Sequence, residues 1–91
     1  MQTTNSIYPQ LPICSSLPTL QRNNSTTVNQ NVRYLQQSLV KNGYPVASDG
    51  FFGPKTEQAV IKFQKQNQIA VDGIVCPQTW NLLGACDVGG C

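Results

Sequence analysis

One segment of this chain is written twice. Asp49-Gly50-Phe51-Phe52-Gly53-Pro54-Lys55-Thr56 returns 23 residues later as Asp72-Gly73-Ile74-Val75-Cys76-Pro77-Gln78-Thr79, with Asp, Gly, Pro and Thr unchanged. The physics of the octet is local. Asp-Gly makes a tight turn, because glycine accepts positive φ and the aspartate side chain bonds the backbone beyond it. The next two positions drop an apolar residue into the core. Proline then opens a helix, where its missing N–H costs nothing. A second echo, Leu35-Gln36 and Phe63-Gln64, precedes each octet; Gln36 to Asp49 is 13 residues and Gln64 to Asp72 is 8. The pattern predicts an all-α fold: a small three-helix bundle of two repeated turn–helix units after an opening helix.

The elements follow from spacing. Val28, Val32, Leu35 and Leu39 recur at helical intervals, with Thr26 or Thr27 as the cap and Asn42-Gly43 as the stop. A second helix opens at Pro54, with Ala59, Val60 and Phe63 inward and Lys55, Glu57, Lys62 and Lys65 outward; Asn67 ends it. A third opens at Pro77, carries Trp80 and Leu83 inward, and ends at Gly84. Residues 1–26 hold Pro9, Pro12 and Pro18 among Ser, Thr, Asn and Gln, and read as an extended lead-in. Its Leu17–Leu20 piece is expected to lie against the body. Residues 27–86 form the domain and 87–91 a flexible tail.

Composition removes whole classes of function. Histidine is absent, which excludes Ser-His and Cys-His catalysis and His-ligated metals. Charged residues are 11% of the chain and the net charge is +2, too sparse for a nucleic-acid face. No apolar run is long enough to span a membrane. Asp49 and Asp72 invite a reading as catalytic carboxylates or calcium ligands, but a calcium loop gathers about six oxygens and each turn offers one carboxylate. Asp49, Gly50, Gly53, Asp72 and Gly73 therefore read as structural turn residues, with no metal, no cofactor and no catalytic residue. The opening Met1–Ser6 lacks a basic, apolar leader, so a leader has been replaced or the chain is part of a larger protein. Four cysteines in a domain of 91 residues with a small core favour an exported, disulfide-stapled monomer in the periplasm, cell wall or medium.

Taken in order, Val32-x-x-Leu35-Gln36-x-x-Leu39, Gly43-Tyr44, the first octet, Ala59-Val60-x-x-Phe63-Gln64, Val71-Asp72-Gly73 and Pro77-Gln78-Thr79-Trp80-x-x-Leu83 resemble the three-helix peptidoglycan-binding domain of bacterial cell-wall hydrolases. The likeness runs over residues 28–84. Two departures stand out: Cys76 replaces a family glycine, and Asn23–Thr27 replaces a glycine-containing turn. The resemblance implies a bundle that holds peptidoglycan and targets a separate or fused hydrolase to the wall, without catalysis of its own. It also gives the inward place to Phe52, which leaves Phe51 exposed. Ligand contacts are then expected from Tyr44, Phe51, Asn67 and Gln68, in a groove shared by the first two helices and loops 43–52 and 66–72. Gln36 and Gln64 are expected to satisfy loop backbone groups, and Trp80 to belong to the core.

The cysteines allow three pairings. Cys76–Cys86 would span the third helix, too far for a bridge. The rest are Cys14–Cys86 with Cys76–Cys91, preferred because Leu17 and Leu20 need cover, and Cys14–Cys76 with Cys86–Cys91. If the place shared by Gly53 and Cys76 needs positive φ, cysteine there costs about 1–2 kcal/mol. A disulfide of ~3 kcal/mol would offset that and argues for a bonded Cys76. A second reading of the same scaffold is an exported protein-interaction or inhibitor module.

Overall fold

The computed structural model describes residues 11–86 and contains three α-helices among them: α1 (Gln30–Lys41), α2 (Pro54–Gln66) and α3 (Pro77–Leu82). This is the all-helical bundle the repeat predicts.

α1 starts later than the apolar spacing suggests. Its cap is Asn29, whose Oδ1 accepts from the Asn31 and Val32 amides at 2.8 and 3.3 Å. Thr26 and Thr27 do not cap it. The preceding stretch folds on itself instead, the Ser25 hydroxyl accepting the Thr27 N–H at 3.1 Å. Val28 consequently leaves the buried stripe and is 45% exposed, whereas Val32, Leu35 and Leu39 are shut in. Val28 lies over Gly50: a Cβ added there would stand 2.5 Å from Val28 Cγ1. The Asn29 N–H reaches the Gly50 carbonyl at 3.0 Å, tying the start of α1 to the first turn.

α2 and α3 open on Pro54 and Pro77 as expected. Gly50 and Gly73 take positive φ (+79° and +72°), as the Asp-Gly turns require. Gly53 does not. It is the N-cap of α2 at φ −101°, ψ −166°, and Cys76 caps α3 at φ −101°, ψ 176°. Both are extended backbone, which any residue adopts, so Gly53 is not a turn glycine and Cys76 carries no strain. The supposed motive for bonding Cys76 is gone.

The lead-in is stitched to the bundle. Leu20 and Val75 exchange backbone hydrogen bonds of 3.0 and 2.8 Å, and the Asn23 N–H donates to the Phe52 carbonyl. A 3-10 turn, Cys14–Ser16, brings Cys14 to Cys86, and the two are disulfide-bonded with Cα atoms 4.9 Å apart. That bond rules out both Cys14–Cys76 and Cys86–Cys91. Cys76 has no disulfide partner among the described residues. The Cys76–Cys91 pairing and the 87–91 tail lie outside them.

Trp80 is completely buried and belongs to one core cluster with Phe52, Leu35, Val60 and Val75. Its indole N–H donates to the Pro18 carbonyl at 2.9 Å, so the lead-in also satisfies the one polar atom of the largest core side chain. Tyr34 stacks on it at 5.8 Å and donates its hydroxyl proton to the Ala85 carbonyl.

Candidate functional site

The two turns are built the same way, from a glutamine on the preceding helix. Gln36 is fully buried on α1; its Nε2 donates toward Asp49 Oδ1 and the Phe51 carbonyl, each at 3.0 Å, and Thr56 Oγ1 at 3.1 Å. Its Oε1 accepts the Gly50 N–H at 2.9 Å. Gln64 on α2 repeats the clasp: Nε2 to Asp72 Oδ1 (3.1 Å), the Ile74 carbonyl (2.9 Å) and Thr79 Oγ1 (3.5 Å), with Oε1 accepting from Gly73 at 2.9 Å. Each aspartate in turn accepts an N–H two residues on, from Phe51 and Ile74. Every invariant residue of the octet except proline is used in this one device. Gln36, Gln64, Asp49 and Asp72 are thereby committed to structure, since a buried amide keeps its partners. The Phe51 N–H first, and then the Gln36 amide, hold the Asp49 carboxyl below its ordinary range, against a smaller opposing effect of burial.

The clasped first turn leaves two adjoining grooves on one side of α2. The larger, about 510 Å³, has Tyr44 and Pro45 on one wall and Lys55, Gln58, Ala59 and Lys62 of α2 on the other. The smaller, about 350 Å³, is more apolar; Val46, Ala47, Phe51 and Pro54 line it, with Asp49 and Lys55 at its edge. Lys55 belongs to both. Concave, partly apolar surfaces with a few polar groups are where ligands bind.

Two of the four expected contact residues line these grooves. Phe51 is exposed and lines the smaller groove. Tyr44 lines the larger but is half-buried, its ring edge-on to Phe63 at 5.6 Å. Asn67 and Gln68 line neither. Asn67 ends α2, its Nδ2 donating to the Phe63 carbonyl at 2.8 Å, and Gln68 follows in the left-handed region at φ 57°. α1 contributes no wall to either groove, and the larger runs between α2 and loop 43–47. In the sequence Lys55 and Lys62 read as an ordinary solvated face, and Gln58 sits between them on the same side. Their i, i+3, i+7 spacing was the available signal, but nothing in the sequence says which solvated face has a loop beside it.

Comparison with known proteins agrees with this fold. The family model for the peptidoglycan binding domain matches residues 28–83. The zinc D-Ala-D-Ala carboxypeptidase of Streptomyces albus G is 46% identical over 55 residues, which cover 55% of this chain and 21% of that enzyme. The crystal structure of a peptidoglycan-binding protein from Clostridioides difficile in complex with glutamine hydroxamate superposes with a TM-score of 0.68 at 38% identity. It covers 76% of this chain, and this chain covers 42% of it. A fused zinc-dependent amidase/peptidase/peptidoglycan-binding domain-containing protein from Clostridium acetobutylicum gives 0.67 at 35% identity, over 79% of this chain and 31% of that one. The chain thus spans a minor part of the length of each of these relatives.

Proposed function

The chain belongs to the peptidoglycan-binding domain family, and on that premise we propose that it is a non-catalytic module that holds peptidoglycan and keeps a hydrolase, separate or fused, on the bacterial wall. The observation that carries this reading is the family match over both turn–helix units. Two of the relatives, the zinc D-Ala-D-Ala carboxypeptidase and the fused zinc-dependent amidase/peptidase protein, are hydrolases of which the segment shared with this chain is 21% and 31%. The composition supports the same division of labour: without histidine, and with Asp49 and Asp72 engaged by glutamines, these residues offer binding surface rather than reacting groups. The Cys14–Cys86 bond supports a place outside the reducing cytosol, in the periplasm, wall or medium.

The grooves along α2 are the proposed contact surface, with Phe51 and Tyr44 as its aromatic members. Incubation of the purified protein with sacculi, followed by sedimentation, tests the reading. Retention on sacculi but not on cellulose or chitin is expected, with no loss of wall turbidity. Recovery entirely in the supernatant would overturn it, and clearing of the suspension would overturn the non-catalytic part.

A further inference from the structure

We propose that the larger groove is an anion-recognising subsite that takes the peptide arm of peptidoglycan by its carboxylates, an inference that rests on the wall-binding reading. Lys55 and Lys62 are seven residues apart on α2, two turns along one face, and both line the groove with Gln58 between them. Neither has a carboxylate partner: among the described residues the one ion pair joins Arg22 to Glu57, at 3.4 Å. Asp49, the one carboxylate lining either groove, lies in the smaller one, where Gln36 and the Phe51 N–H already occupy its Oδ1. The larger groove is therefore a cationic strip with an apolar floor at Ala59 and an aromatic wall at Tyr44.

Its dimensions suit a short extended peptide. Seven helical steps separate the two lysine backbones by about 10 Å. Three residues of extended chain cover about the same distance. A ligand with two carboxylates about three residues apart, lying along α2, meets both ammonium groups, while Gln58 offers its amide to the peptide backbone between them. A stem peptide with an internal free carboxylate and a free C-terminus has this chemistry; the uncharged glycan strand does not.

The test is a chemical-shift titration of the full chain with a synthetic stem peptide in its free-acid form and in its fully amidated form. The free acid is expected to shift the Tyr44, Gln58 and Lys62 amides and to bind about tenfold tighter than the amidated form. Lys55→Gln and Lys62→Gln should each weaken the free acid about two- to fivefold, the size of an exposed ion pair. Lys55→Arg and Lys62→Arg should restore most of the loss, and raised salt should weaken wild type toward the amidated peptide. Both lysines are exposed, so thermal midpoints should not move. Equal affinity for the two peptides, or shifts confined to other surfaces, would overturn the proposal. If sacculi still retain the protein in that case, wall binding stands and only the anion subsite falls; if they do not, both fall.

Discussion

Gln36 and Gly50 are 14 residues apart in the chain and meet in the interior, where the glutamine Oε1 accepts the glycine N–H at 2.9 Å. The same amide's nitrogen faces Asp49, Phe51 and Thr56, so one side chain organises the whole first turn. Gln36→Leu is expected to strand the Gly50 N–H, the Phe51 carbonyl and the Thr56 hydroxyl. Buried groups left unpaired cost ~1–3 kcal/mol each, and partial relaxation leaves a loss of about 3 kcal/mol. Gln64→Leu should cost a similar amount through Gly73 and Ile74. The exposed neighbour Gln37, changed to Ala, should stay within about 0.5 kcal/mol. Urea unfolding of the three variants checks this; equal midpoints would refute the clasp.

Phe51 and Tyr44 should separate stability from binding. Phe51 is exposed, so Phe51→Ala should leave the thermal midpoint nearly unchanged while weakening retention on sacculi. Tyr44 cannot do the same, because its ring packs edge-on against Phe63. Such pairs contribute about 0.5–1.5 kcal/mol beyond the area they bury. Tyr44→Ala should therefore lower the midpoint by several degrees as well as weakening binding. Calorimetry beside the sedimentation assay distinguishes the two; a stable Tyr44→Ala would contradict the packing.

What the sequence revealed and what it hid divide along one line. The turn–helix units were legible because the octet's signals are local: Asp-Gly, an apolar pair, proline. Their glutamines were legible as an echo, because a bond between fixed partners keeps its register. The start of α1 was not, since Thr27 and Asn29 are both good caps and only the Asn29–Gly50 link to a distant turn decides between them. Trp80 was recognised as core, but its bond to Pro18 and its stack on Tyr34 join residues with no shared periodicity. The grooves were the least legible part: a binding wall at Lys55 and Lys62 reads, on one helix, like any solvated stripe.

Acid should loosen the first turn through Asp49. Its carboxyl is held below the ordinary value of ~3.9 by the Phe51 N–H and the Gln36 amide. A group whose folded pKa is depressed contributes its stability above the unfolded value and loses it as pH falls through the folded one. Stability should thus be flat above about pH 5 and decline below about pH 4. Asp49→Asn keeps an acceptor oxygen without the titration, so its urea midpoint should vary less with pH across that window. A parallel pH profile for variant and wild type would refute the assignment.

The Cys14–Cys86 bond closes 72 residues, nearly the whole described chain. On the chain-entropy model a loop of that size contributes about 4 kcal/mol. A domain this small has only ~5 kcal/mol to lose, and each kcal/mol moves its midpoint about 4–8 °C. Reduction, or Cys14→Ser with Cys86→Ser, is expected to lower the midpoint by more than 10 °C. The lead-in should loosen with it, exposing the Leu20–Val75 amides to faster hydrogen exchange. An unchanged midpoint in reductant would show that packing alone holds the lead-in.

Cys76 offers a sharper test than the pairing first expected of it. The extended backbone at φ −101° matches Gly53, so restoring glycine relieves nothing, and Cys76→Gly should give no gain in stability. What the position does impose is electrostatic. The backbone amides of Thr79 and then Gln78, in the first turn of α3, favour the thiolate against the opposing effect of partial burial. The thiol should therefore ionise below its ordinary range. With Cys14 and Cys86 bonded, Cys91→Ser leaves Cys76 as the one free thiol, and thiolate absorbance near 240 nm can follow it as pH is raised. The midpoint in the folded protein should lie below that of the same chain in concentrated urea. Coincident midpoints would remove the hydrogen-bonded thiolate, and no titration at all in wild type, restored by Cys91→Ser, would show that the tail closes on Cys76 after all.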